Sequence, residues 1–76
     1  VTPWREQLAR ELNRALVNRT QAEAAALLGV PQPRVSQLRN YDLQGISAER
    51  LMGWLVLLGY DVEIRVTDRY RERQAR

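Results

Sequence analysis

Residues 20–40 read TQAEAAALLGVPQPRVSQLRN, two short helical patterns on either side of a glycine. Thr20 and Glu23 stand three apart, the spacing at which hydroxyl and carboxylate each accept from the other residue's backbone N–H. Ala22 to Leu28 then make a compact, alanine-rich helix. Gly29 ends it, because a residue without Cβ enters the left-handed conformation freely. Pro31 opens a second helix, its fixed φ suiting a first turn. Val35 and Leu38 supply that helix's buried stripe, while Gln32, Arg34, Ser36, Gln37 and Arg39 fall mostly on other faces. Ala24 and Ala25 are small enough for another helix to approach closely, and Val30 anchors the turn in the core.

Upstream, Thr2–Pro3 reads as a helix start. Trp4, Leu8, Leu12 and Leu16 recur every four residues with Ala9 and Ala15 beside them, predicting an amphipathic helix to about Val17. Asn18–Arg19 breaks the pattern. Downstream, Asn40 to Ile46 reads as a loop, and Ser47 caps a fourth helix with Leu51, Trp54, Leu55 and Leu58 facing the core. Gly59 stops it. Both tryptophans sit at helical spacing, which points to core or interface and away from base stacking.

Tyr60 to Val66 alternates apolar and charged residues, with β-branched side chains on the apolar side, and predicts a strand. Residues 67–76 carry Arg69, Arg71, Arg73 and Arg76 without a core pattern and read as a charged, flexible tail. The expected organisation is one mainly α domain over residues 1–66: four helices, then a C-terminal strand at 60–66 that pairs across a dimer.

The dimer follows from what a lone strand requires. Its unpaired donors and acceptors leave an open edge, and the available partner is its own copy. A two-fold axis at Ile64 sets Glu63 opposite the partner's Arg65 and Val62 opposite the partner's Val66; an axis at Glu63 would face like charges. Gly53 and Leu57, off the core stripe of the fourth helix, suit a close contact beside Tyr60 and the strand. Size agrees: a chain of 76 residues buries only about 60% of the surface it exposes when unfolded. Disulfides, a metal or association usually supply the shortfall. Cysteine and histidine are both absent, so association remains and no cofactor or metal is expected.

The absence of cysteine, histidine and lysine also removes the common nucleophiles and bases, and the acidic residues do not cluster, so an enzyme is not expected. No apolar run is long enough for a bilayer and no signal segment opens the chain, which fits a cytoplasmic protein. The formal charge is +3, and all twelve basic residues are arginine, the side chain that forks onto phosphate and guanine. Two short helices across a tight turn, in a basic four-helix domain, fit a DNA reader. The second helix would lead with Gln32, Pro33, Ser36 and Gln37. Glutamine can pair with adenine, serine can reach several base edges, and a helix start favours phosphate.

The run from Thr20 to Val30, followed by Gln32–Pro33–Arg34–Val35–Ser36–Gln37–Leu38, resembles the Xre family of lambda-repressor-like helix-turn-helix proteins. The segment Leu51 to Val66, ending in Leu-Gly-Tyr-Asp-Val-Glu-Ile-Arg-Val, resembles the subgroup of HigA-type antitoxins. The resemblance implies that Gln32, Pro33, Ser36 and Gln37 face bases. Thr20 and Gln21 would meet a phosphate at the start of their helix, with Arg34, Arg39 and Asn40 on the DNA backbone. Two departures stand out: Pro31 where many relatives have serine, and Tyr41 where many have glycine. Tyr41 would itself lie against the sugar-phosphate backbone. The implied function is a bacterial transcriptional repressor, a homodimer on a palindromic operator, autoregulating as an antitoxin with a toxin partner. The alternatives are a standalone or phage-type regulator, or a protein-interaction module on the same scaffold.

Overall fold

The structure, a computed structural model, describes residues 4–68. The Thr2–Pro3 helix start and the arginines of the tail from Arg69 onward lie outside the described residues. Four helices follow in order: α1 Trp4–Ala15, α2 Gln21–Leu28, α3 Gln32–Arg39 and α4 Ala48–Leu57. α1 packs on α4 and on α3, and α2 packs on α3. The core between them is built from the stripes the sequence marks, with Leu12, Leu16, Val35, Leu38 and Leu51 fully enclosed. Burying each such side chain contributes roughly 1.5–3 kcal/mol.

The helix ends are set locally. α1 stops at Ala15, two residues short of expectation. Leu16 N–H still reaches the Leu12 carbonyl at 3.0 Å, but Val17 and Arg19 bond three residues back, to Arg14 and Leu16. The last turn thus tightens before the chain leaves the axis. α4 begins as expected, with the Ser47 hydroxyl accepting from the Arg50 N–H at 3.1 Å. Its outward start carries Arg50, whose guanidinium lies 5.8 Å from the centroid of the Trp54 ring.

Three places depart from the sequence reading. Residues 40–46 are a loop, yet Leu43 and Ile46 are buried core members. Arg5 holds that loop down, donating from Nη1 to the carbonyls of Leu43 at 3.2 Å and Ile46 at 3.0 Å. Trp4 is half exposed: it flanks an open groove of about 750 Å³ shared with Met52, Val62 and Ile64. Residues 60–66, expected as a strand, form no ladder, and no strand exists among the described residues. A strand is defined by its partner, and nothing within the described chain provides one. Val62 packs against the core while Ile64 and Val66 stay exposed. Among the described residues no helix is long and apolar enough to cross a membrane.

Candidate nucleic-acid interface

α2 is fastened at both ends. Glu23 N–H donates to Thr20 Oγ1 at 3.1 Å, and Thr20 N–H donates to Glu23 Oε1 at 2.9 Å, closing the capping box. Donation from the Thr20 backbone N–H foremost, and then from its side chain, holds the Glu23 carboxyl below its ordinary pKa. Gln21, the first residue of the helix, is half-buried. At the other end Gly29 adopts φ 69° and ψ 37°, and its N–H and that of Val30 both return to the Ala25 carbonyl. Ala24 and Ala25 are buried there, as close packing of α3 requires.

α3 begins at a proline cap, Pro31, with Pro33 as its second residue. Val35 and Leu38 are buried. At about 100° per residue, the point opposite that stripe is Pro33, with Ser36 and Gln37 to either side and Gln32 and Arg34 on the flanks. Gln32 and Pro33 are exposed, and Arg34, Ser36 and Gln37 half-buried. The structure therefore brings Gln32, Pro33, Ser36 and Gln37 together on the side of α3 opposite its buried stripe. The phosphate contact expected of this helix start shrinks to a single backbone donor. Pro31 and Pro33 have no N–H, and Arg34 N–H donates to the Pro31 carbonyl at 3.0 Å. Only the N–H of Gln32 remains.

The far end of α3 is committed to the fold. Arg39 donates from Nη2 to the Arg19 carbonyl at 2.6 Å and to that of Leu16 at 3.4 Å. Asn40 turns its side-chain amide back onto the Ser36 carbonyl at 3.0 Å. Asn13, in α1, donates to the Leu38 carbonyl at 3.0 Å. Sequence reasoning missed Asn13 and Arg5, although a polar side chain beside an apolar helical stripe was the available signal. Tyr41 stands exposed at φ 57°, the only non-glycine residue with positive φ among the described residues. A tyrosine there occupies a backbone conformation that glycine adopts without penalty.

The dimer candidates lie on α4 and the segment that follows it. Gly53 and Leu57 lie on the outward face of α4. Val56, also exposed, extends that face, while Tyr60, exposed as well, follows the end of α4 beyond Gly59. The spacing of 53, 56 and 57 was a helical signal that the sequence reading used only in part. Beyond it Glu63, Ile64, Arg65 and Val66 are all exposed, and only Val62 is drawn toward the core.

Comparison with known proteins agrees with this geometry. The family described as "Helix-turn-helix domain" matches residues 4–67. A solved structure whose name assigns it to the XRE family of transcriptional regulators is 49% identical. The match covers 88% of this chain and 78% of that one, with a TM-score of 0.78. No curated protein gives a significant match. By sequence and by fold, this chain belongs to the helix-turn-helix domain family and is of XRE type.

Proposed function

We propose that the chain is a sequence-specific reader of double-stranded DNA, acting as a transcriptional repressor. The carrying observation is the outward face of α3: Gln32 and Pro33 lie exposed, with Ser36 and Gln37 half-buried beside them, on a helix locked from behind by Val35 and Leu38. A short rigid helix with polar side chains at its leading end fits the major groove, and its base edges are what such side chains recognise. Thr20, Gln21, Arg34 and Tyr41 would hold phosphates around it, and Arg39 and Asn40 support its far end. Repression is steric, by occupancy of a promoter.

The working unit is a homodimer, and the support is unpartnered surface. Leu57, Val56, Tyr60, Ile64 and Val66 are exposed apolar side chains on and after α4. Pairing of residues 60–66 with a second copy satisfies their backbone and covers that surface. Two reading helices then face successive major grooves about 34–36 Å apart on a roughly palindromic operator. The finer reading, an autoregulating antitoxin in the bacterial cytoplasm, rests on the resemblance of residues 51–66 to HigA-type proteins. Its sign would be a toxin encoded beside it that co-purifies with the chain.

A gel shift of the purified chain on its own upstream DNA, against scrambled DNA of equal length, tests the main reading. The expected result is preference for the upstream duplex, with affinity falling steeply as salt rises. Equal binding to both, or none, overturns it and leaves the protein-interaction alternative.

A further inference from the structure

The outermost position of the reading helix is a proline. Pro33 lies opposite the buried Val35–Leu38 stripe and is exposed, so it is the first side chain a groove floor would meet. Its ring has neither donor nor acceptor. Across the major groove the base pairs present hydrogen-bonding atoms and one apolar feature, the 5-methyl group of thymine. The flanking glutamines, Gln32 and Gln37, carry the paired donor and acceptor that match adenine N7 and N6. Ser36 can meet either kind of pair, but the side chains that select a G·C pair are missing from this face. α3 contains no acidic residue to accept from cytosine N4. Its two arginines, the guanine readers, are placed elsewhere: Arg34 is half-buried on the flank, and Arg39 is bonded to the Arg19 and Leu16 carbonyls.

Building on the DNA-reading function proposed above, we propose that each half-site is centred on A·T pairs and that Pro33 selects it by packing on a thymine 5-methyl group. The double proline fits this role in a second way. With Pro31 and Pro33 lacking N–H and Arg34 bonded to Pro31, the helix start offers phosphate little grip. It enters the groove as an apolar wedge flanked by amides, and specificity at its centre is carried by shape and methyl contact.

The test begins with selection of duplexes by the full chain from a pool with a randomised core. The best duplex is then remade with deoxyuridine for thymidine, which removes only the methyl groups. The expected outcome is an A·T-centred half-site whose affinity drops about fourfold for each contacted methyl, the factor that burying one such group supplies. Pro33→Ser, checked for unchanged helicity and melting, should bind the thymine and uracil duplexes equally. Selection of a G·C-centred site, or equal affinity of the native chain for thymine and uracil duplexes, overturns the inference and leaves sequence-specific DNA reading standing. A pool that yields no preferred sequence overturns both.

Discussion

Arg39 reaches back from the last turn of α3 to the Arg19 carbonyl at 2.6 Å, joining the reading helix to the segment that leads into α2. The same nitrogen also meets the Leu16 carbonyl, so one side chain ties the end of α1 to the end of α3. The charge lies near the surface, which moderates its worth. Arg39→Ala should cost about 1 kcal/mol, or about 4–8 °C in melting temperature for a domain of this size. Thermal unfolding followed by circular dichroism measures it. The salt dependence of DNA binding should change by less than one phosphate contact, because the donor is already engaged.

Tyr41 should respond in the opposite sense. Its φ of 57° costs an L-residue roughly 1–2 kcal/mol. Glycine removes that cost but adds chain entropy to the unfolded state. Tyr41→Gly should therefore stabilise the domain by about 0.5–1 kcal/mol, seen as a raised urea midpoint. If the phenol lies on the DNA backbone, the same variant binds DNA about fivefold more weakly, the worth of one hydrogen bond. Gain in stability with loss of affinity is the expected pair of results.

The capping box makes a pH prediction. The folded-state pKa of Glu23 lies below its ordinary value of 4.5 because Thr20 donates to the carboxylate. Its contribution is therefore complete above pH 4.5 and fades as pH falls through the lower folded value. Glu23→Gln should be less stable than the native chain near neutrality, and the two should converge in acid. Urea midpoints monitored by tryptophan fluorescence across that range would show it, and a constant difference would count against the assignment.

Base reading and backbone binding separate in a double variant. Gln32→Ala with Gln37→Ala removes two adenine-matching side chains from an otherwise unchanged helix. Operator affinity should fall by about tenfold or more, at roughly 1–3 kcal/mol per lost bidentate contact, while binding to random DNA changes little. Equal loss on both sequences would reassign the glutamines to the backbone.

The dimer register can be tested by charge exchange. With the axis at Ile64, Glu63 faces the partner's Arg65 twice per dimer by symmetry. Glu63→Arg alone should weaken association about tenfold, at roughly 0.2–1 kcal/mol for each lost pair plus the new repulsion. Adding Arg65→Glu should restore it. Sedimentation equilibrium gives the constants, and no effect of the single change would place the axis elsewhere.

Residues 20–40 by themselves determined the helix-turn-helix. Caps, the left-handed glycine and the spacing of Val35 and Leu38 are local properties, set within a few residues of the chain. The outward set on α3 followed from the same periodicity. What only the tertiary structure decided lies in bonds between distant residues. Arg5 meets Ile46 across 41 positions, Asn13 meets Leu38 across 25, and Arg39 meets Arg19 across 20. Periodicity carries no trace of such pairings, so the buried loop at Leu43 and Ile46 and the engagement of Arg39 were illegible in sequence. Tyr41's positive φ was likewise set by how the chain must leave α3, at a position where its residue type argues against that conformation. Residues 60–66 mark the remaining limit: alternation specifies which face is apolar, but a strand exists only when a second backbone completes its hydrogen bonds.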